Sequence, residues 1–294
     1  MEGVISLKNL SYTYNPKTPF EKKALNNVSL EIERGEFLGI IGPTGCGKST
    51  LIQHFNALIK PQEGEVFILG VDVKKKKSDL KTLRSKVGMV FQYPEYQLFA
   101  ETIFDDVAFG YKNFFNSKKN KISKEEIEEA VKEAVTLVGL NFDEIKNRSP
   151  FEISGGQKRR AAIAGVIVSK PEILILDEPT AGLDPVGKRE ILELLHLLHK
   201  NCSHTIVMIS HDIDEVARNC TKIAVMQSGE ILDIESPKVL FQNSEKINKL
   251  NLDLPNPVKI AKALNKRGFN LPENIFLESE LALEISKVLK RTRG

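Results

Sequence analysis

The pattern of hydrophobic positions divides the chain into two stretches of alternating strands and helices. Residues 37–41 and 173–176 are apolar throughout, which is typical of strands buried on both faces. Alternating or short apolar patterns predict further strands at residues 5–14, 28–32, 66–69, 87–91, 205–210 and 222–226. Helical patterns follow the two apolar strands, at residues 48–58 and 186–199. This order of elements predicts an α/β fold.

The middle and the end of the chain are predicted to be mostly helical. Ser123 and Glu126 form the pattern of a capping box at the start of a helix. Near the end of the chain, prolines separate short segments in which apolar residues recur at helical spacing. The predicted units are a main domain over residues 1–235, a helical subdomain within it at about residues 93–169, and a small, largely helical C-terminal appendage over residues 236–294.

Composition restricts the class of function. The chain has 294 residues, of which 41% are hydrophobic and 28% charged, as in ordinary globular proteins. The net charge of +3 argues against nucleic acid as a main partner. No run of about 18 apolar residues is present, so we expect a role at a membrane to depend on a partner. The start of the chain lacks a secretory pattern, and the three cysteines form no CxxC pair, which favours a reducing interior.

A glycine-rich loop after the first apolar strand fits the pattern G-x-x-x-x-G-K-[S/T]. With the residue that follows, it consists of Gly42, Pro43, Thr44, Gly45, Cys46, Gly47, Lys48, Ser49 and Thr50. Glycines let backbone N–H groups approach phosphate oxygens, and the start of the next helix attracts the same anion. Lys48 supplies a positive charge for the β- and γ-phosphates, and Ser49 a hard oxygen for Mg²⁺. Because the loop lies between a predicted buried strand and a predicted helix, an ATP site is favoured over an ordinary glycine turn.

Cys46 lies inside this loop, beside the predicted helix start and Lys48. Both features favour the thiolate, so we expect a reactive thiol that nucleotide would protect. The alternative is a small buried residue that only packs.

Two carboxylates, Asp177 and Glu178, end the second apolar strand. Ligands of open α/β sheets bind at the carboxyl ends of parallel strands. Asp177 can hold Mg²⁺ there, and Glu178 can accept a proton from an attacking water. Alone, such a pair could be an exposed turn, but the phosphate loop in the same chain favours a catalytic role.

Residues 153–157, Ile-Ser-Gly-Gly-Gln, closely resemble the LSGGQ signature that marks ABC ATPases among P-loop proteins. A serine and two glycines before a helix again suit an anion. The resemblance implies a P-loop NTPase fold of the ABC type with a helical signature subdomain. It also implies a head-to-tail dimer with two shared sites, in which the ATP on one phosphate loop is covered by the other subunit's signature, here Ser154, Gly155, Gly156 and Gln157.

Further motifs of the ABC family follow in the expected order over about residues 5–229. By resemblance, Tyr14 stacks on adenine, Gln92 senses Mg²⁺ and the attacking water, and His211 contacts the γ-phosphate. Residues 181–184 resemble the D-loop at the dimer seam. Ile153 replaces the usual leucine and Cys46 a common serine, but neither change removes a donor or a carboxylate, so we expect hydrolytic competence.

A finer resemblance points to the ATPase subunits of energy-coupling factor (ECF) transporters. It rests on residues 91–99, 107–110 and 159–165, while residues 12–25 resemble the second ATPase type. Such importers take up vitamins or transition-metal ions such as cobalt and nickel. The resemblance implies a second, homologous ATPase, a transmembrane coupling protein, a substrate-binding membrane protein, and a peripheral position on the cytoplasmic face of the cell membrane. It also implies that residues 236–294 contribute to ATPase pairing.

Two other classes stay open at this point. One is a soluble ABC ATPase acting on the ribosome or on DNA. Its members carry two ATPase domains or long inserted coiled coils, whereas this chain has one set of motifs. The other is the ATPase of an ordinary ABC importer that uses a periplasmic binding protein.

Aromatic and apolar residues crowd the stretch after Gln92. Tyr93, Tyr96, Leu98 and Phe99 predict a docking surface for the coupling protein. The alternative is that they fill the core of the helical subdomain. Leu98 and Phe99 are the two expected to be partly buried in either case.

Overall fold

The computed structural model describes residues 3–75, 78–115, 121–202, 205–242, 247, 249–250 and 252–292. Within these ranges, ten strands lie in two sheets. They are β1 (Gly3–Tyr14), β2 (Lys22–Glu33), β3 (Phe37–Ile41), β4 (Glu63–Ile68), β5 (Val71–Asp72), β6 (Val87–Val90), β7 (Ile173–Asp177), β8 (Thr205–Ile209), β9 (Lys222–Gln227) and β10 (Glu230–Glu235). The predicted α/β class is confirmed.

The helices connect and cover these sheets. They are α1 (Lys48–Phe55), α2 (Leu80–Lys86), α3 (Ile103–Phe115), α4 (Lys124–Leu137), α5 (Phe142–Ile145), α6 (Gly155–Ile167), α7 (Pro185–Cys202), α8 (Ile213–Asn219), α9 (Pro237–Gln242), α10 (Asn256–Asn265) and α11 (Glu278–Thr292). Among the helices of the described residues, none combines the length and the apolar character needed to cross a bilayer.

The central sheet has the strand order β10-β9-β3-β8-β7-β6. Strands β9, β3, β8, β7 and β6 pair in parallel, and β10 pairs antiparallel with β9 at one edge. All five residues of β3 and of β8 are buried, as expected of strands covered on both faces. The carboxyl ends of β3, β6, β7 and β8 therefore lie on the same side of the sheet, at the ends of the strands, where the phosphate loop begins.

The second sheet, in the order β2-β1-β4-β5, is antiparallel. Its apolar face shares a core with α1 and one face of the central sheet. Because β1 ends at Tyr14, this packing brings the end of β1 close to the start of α1.

Helices α3 to α6 fall within residues 93–169, the range of the predicted helical subdomain, whose boundaries stay a prediction. Helix α4 starts with the predicted capping box, in which Ser123 Oγ accepts from the backbone N–H of Glu126 and Glu126 accepts from that of Ser123. The apolar faces of these helices pack into the core under the other face of the central sheet.

The helices at the end of the chain pack into two different cores. Helices α10 and α11 enclose a small core of their own, made of Ala261, Leu271, Ile275 and Leu281. Leu240 and Phe241 of α9, however, belong to the core of the central sheet. A division of the chain at residue 235 therefore stays a prediction.

Candidate functional site

The phosphate loop connects β3 to α1 in a conformation that only glycine tolerates well. Gly42 and Gly47 have φ angles of 151° and 110°. A Cβ atom on Gly42 would lie 2.1 Å from the carbonyl oxygen of Met226, and one on Gly47 would lie 2.4 Å from that of Ala24. Glycine is thus required both for backbone conformation and for close approach to β9 and β2.

Lys48, the first residue of α1, is buried and turns back into the loop. Its ammonium donates to the carbonyl oxygens of Gly42 at 2.8 Å and Pro43 at 3.0 Å. The ammonium of Lys48 therefore lies against the loop at the start of α1, where a lysine and a helix start suit phosphate oxygens.

Asp177 and Ser49 lie side by side at the base of the loop. Burial raises the pKa of the Asp177 carboxyl; a hydrogen bond from Ser49 opposes that shift, and the charge of Glu178 adds to it. A bound divalent cation would offset both the cost of burying the Asp177 carboxylate and its repulsion from Glu178. The oxygens of Asp177 and Ser49 are hard ligands that suit Mg²⁺. This ion also uses phosphate and water ligands, so it needs few protein groups.

Glu178 is held by two other predicted residues. Gln92, after β6, donates from Nε2 to Glu178 Oε2 at 3.0 Å, and His211 Nε2, after β8, lies 2.7 Å from Glu178 Oε1. Three neighbouring strand ends thus bring together the glutamine, the carboxylate and the histidine that the sequence singled out. Glu178 itself has a φ of 51°, a strained value for a residue with a side chain.

Most of the residues predicted for the site line one cleft of about 290 Å³, although Gly42, Pro43, Cys46 and Asp177 are not in its lining. The lining residues are Tyr14, Lys22, Ala24, Thr44, Gly45, Gly47, Lys48, Ser49, Thr50, Gln92, Glu178 and His211. The hydroxyl of Tyr14 lies 3.2 Å from Thr50 Oγ1, and its ring packs edge-on against Tyr12. An aromatic ring therefore stands at the cleft, as expected of a residue that stacks on a base.

Cys46 differs from the expectation of a reactive thiol. Its side chain is 6% exposed and belongs to the core formed by the two sheets. It therefore contributes packing beneath the loop, and its burial favours the alternative of a small residue that only packs.

Ser154 and the residues after it lie outside this cleft. Ser154 caps α6: its Oγ accepts from the backbone N–H of Gln157 at 3.2 Å, and Gln157 Oε1 accepts from that of Ser154 at 3.0 Å. Ser154, Gly155 and Gly156 are exposed, and nothing lies within 4 Å of a Cβ atom built on either glycine. The helix start is thus open to a ligand that this chain's own cleft does not supply.

Comparison with known proteins identifies the family. The sequence profile described as "ABC transporter" matches residues 25–181. The energy-coupling factor transporter ATP-binding protein EcfA2 of Clostridium tetani is 46% identical over 97% of this chain and 96% of the relative. That of Clostridium perfringens is 47% identical over 97% of this chain and 98% of the relative. The chain belongs to the ABC transporter ATPases of the energy-coupling factor type.

Solved structures agree with this assignment. The cbiO1 protein from Clostridium perfringens, described as part of the ABC transporter complex cbiONQ, matches with a TM-score of 0.74 and 37% identity over 90% of this chain and all of its own. The ATP-binding cassette MJ0796, as a dimer in a post-hydrolysis state with ADP and phosphate, matches with a TM-score of 0.69 and 32% identity over 79% of this chain and 98% of its own. The ABC ATPase fold is confirmed, and the chain is a nucleotide-binding ATPase subunit.

Sequence reasoning missed some residues that shape this ECF-type site. Glu215, buried in α8, accepts from Thr180 Oγ1 at 2.8 Å and Ser210 Oγ at 2.9 Å, and so links the chain after Glu178 to the residue before His211. A signal was present: Asp, a favoured N-cap residue, stands at position 212, three before Glu215. Lys22 also lines the cleft, but no pattern in the sequence around it points to the site.

The stretch after Gln92 is more exposed than expected. Tyr96 is 84% and Phe99 66% exposed, whereas Leu98 packs against the core. Phe99 was expected to be partly buried, but its ring lies on the surface, edge-on to Phe109 with centroids 4.9 Å apart. We call Tyr93, Tyr96, Phe99 and Phe109 the aromatic surface.

Proposed function

We propose that this chain hydrolyses ATP to energise the uptake of a vitamin or a transition-metal ion by an ECF-type transporter. The observation that carries the proposal is the position of Glu178: its carboxylate is held by Gln92 and His211 in the cleft that the phosphate loop lines. A proton acceptor beside a phosphate cradle is what hydrolysis of a phosphoanhydride requires.

The chemistry follows from the groups in the cleft. The phosphate loop and Lys48 hold the β- and γ-phosphates of ATP, and the ring of Tyr14 stacks on its adenine. Mg²⁺, held by Ser49 and Asp177 with Gln92 beside it, would neutralise phosphate charge. Glu178 takes a proton from the water that attacks in line with the leaving phosphate, while His211 stabilises the γ-phosphate.

Two chains paired head to tail would complete each site. The start of α6 is exposed, and its residues are not among those that line the cleft of the phosphate loop. The proposal is that Ser154, Gly155, Gly156 and Gln157 of one subunit bind the γ-phosphate held by the other. The dimeric form of MJ0796 supports this pairing by analogy, and α10 and α11 would add to it.

The remaining partners are proposed from the relatives. Several carry the name of energy-coupling factor transporter ATP-binding protein. We expect a second ATPase, a transmembrane coupling protein and a substrate-binding membrane protein, with this chain peripheral on the cytoplasmic face. No nucleic acid is expected to take part.

Purification from membranes tests this assignment. A tagged chain, extracted in mild detergent, should co-purify with a homologous ATPase, a coupling protein and a small substrate-binding membrane protein, which mass spectrometry would identify. Recovery of ribosomes, or of DNA-repair proteins, would favour the soluble classes. Recovery of two transmembrane subunits with a periplasmic binding protein would indicate an ordinary importer.

The aromatic surface is the proposed docking site for the coupling protein. It begins one residue after Gln92, which contacts Glu178, so a partner bound there lies next to the catalytic carboxylate. Exposed aromatic groups of this density commonly mark an interface.

Tyr93→Ala and Tyr96→Ala should weaken assembly with the coupling protein, or uncouple hydrolysis from transport, with ATP binding and folding retained. Each change removes exposed contact area and leaves the phosphate loop untouched. Co-purification yield and the ratio of transport to hydrolysis measure the effect. Leu232→Ala is the matched control, because Leu232 is 45% exposed on β10, at the opposite edge of the central sheet. Normal assembly and transport by both tyrosine variants would place the docking surface elsewhere.

A further inference from the structure

One arginine links the signature helix to two other segments of the site. Arg159, on α6, is 1% exposed. Its Nε and Nη2 donate to the two carboxylate oxygens of Glu95, at 3.0 and 2.8 Å. Its Nη1 donates to the carbonyl oxygens of Pro179 at 3.1 Å and Ala181 at 2.9 Å. Four of its five N–H groups are thus used, in the planar geometry that only a guanidinium provides.

The carbonyl groups that Arg159 binds belong to the segment directly after Glu178. Glu178 has a left-handed backbone, with a φ of 51°, and its carbonyl oxygen accepts from the N–H of Ala181 at 3.1 Å. A non-glycine residue in this region persists only where its surroundings hold it. Two hydrogen bonds from a fully buried cation to residues 179 and 181 are such a constraint.

The other partner, Glu95, lies within the aromatic surface, between Tyr93 and Tyr96. Tyr93 packs against the same segment: a Cβ atom on Gly182 would lie 3.2 Å from the ring of Tyr93. Together with the bond from Gln92 to Glu178, residues 92–95 are therefore joined to residues 178–182 at three points. Arg159 supplies the third point, through its ion pair with Glu95.

We infer that Arg159 is a positioning residue for hydrolysis, which fixes the segment after Glu178 and ties it, through Glu95, to the aromatic surface. The inference rests on the proposed function in one respect, the role of Glu178 as proton acceptor. Arg159 touches no reacting atom. It acts by holding the backbone that carries Glu178, so its loss affects turnover rather than nucleotide affinity.

The test uses Glu95→Gln and Arg159→Lys in the assembled transporter, with the partner ATPase's phosphate-loop lysine replaced so that only this chain's site turns over. Both changes break the paired geometry while leaving side chains of similar size. Because small misplacements of catalytic groups cost large factors in rate, we expect kcat to fall about tenfold or more. KM for ATP and the stoichiometry of bound nucleotide should stay unchanged, which excludes a smaller folded fraction as the cause.

Glu190→Gln is the matched control. It breaks a neighbouring arginine–glutamate pair, in which Nη2 of Arg160, the residue after Arg159 on α6, donates to Glu190 of α7 at 2.7 Å. The pair involves no contact with residues 178–182. Its kcat should match wild type within about twofold, as for an exposed ion pair. Equal losses in Glu95→Gln and Glu190→Gln would overturn the inference. Should Arg159→Lys fail to fold, Glu95→Gln still decides, since the Glu95 side chain is partly exposed.

A double variant separates this inference from the proposed function. If Arg159 acts through Glu178, adding Glu95→Gln to Glu178→Gln should cause no further loss in single-turnover hydrolysis. Independent, multiplying losses would show that Arg159 acts elsewhere. Wild-type turnover by Glu178→Gln alone would overturn the assignment of Glu178 as the base, while the comparison of Glu95→Gln with Glu190→Gln would still test whether the segment is held.

Discussion

Glu178→Gln should bind ATP normally but hydrolyse it about 10²–10⁴ times more slowly, the usual range for the loss of a general base. Glutamine keeps the shape and can still meet Gln92 and His211, but it cannot take a proton from water. Bound ATP should then trap the two ATPases in the closed, paired state. The measurements are nucleotide affinity, steady-state hydrolysis and gel filtration with ATP, in assemblies whose two ATPases carry the corresponding change.

Glu172→Gln is the control for this experiment. Glu172 precedes β7, at the opposite end of the strand from Glu178, and forms exposed ion pairs with Arg34 and Lys86. Its removal should leave hydrolysis within about twofold of wild type, because exposed pairs contribute little. Wild-type turnover by Glu178→Gln would show that another group accepts the proton.

The elements that sequence patterns predicted best are those whose burial is uniform. Strands β3 and β7 were predicted to within one residue, because a strand covered on both faces is a continuous apolar run. Strand β10 was missed: it is an edge strand in which exposed and half-exposed residues alternate, with acidic residues that strands disfavour. Helix α8 was missed because its seven residues are too few for a helical period to appear.

A similar distinction holds for the site. The positions of the phosphate loop, Asp177 and Glu178 in the fold were predictable, because local spacing and the end of a strand determine where these residues lie. The pairing of Glu95 with Arg159 joins positions 64 residues apart and has no local pattern. The exposed position of Phe99, whose ring lies edge-on to that of Phe109, likewise has no local pattern. Tertiary packing decides such contacts, so sequence spacing does not predict them.

Ser154→Arg should leave ATP binding by the isolated chain unchanged but lower hydrolysis in the assembled transporter about 10²-fold or more, as for the loss of a positioned anion donor. The reason is the separation of the two halves: Ser154 lies outside the cleft that contains Lys48. Lys48→Ala, by contrast, should weaken binding by the isolated chain itself. Equilibrium binding of a fluorescent ATP analogue, and hydrolysis with the change in both ATPases, measure the two effects.

The matched control removes the same kind of cap from another helix. Ser123 begins α4 with a capping box like that of Ser154, so Ser123→Arg loses a comparable cap, at a cost of about 1 kcal/mol in stability. If capping were the whole role of Ser154, the two variants would lose similar stability and hydrolyse ATP alike. If Ser154→Arg weakened nucleotide binding by the isolated chain as much as Lys48→Ala, the signature would act on its own chain's nucleotide, and the shared site would be wrong. Loss of hydrolysis in Ser154→Arg alone, with binding intact, is the result that a site completed by a second subunit requires.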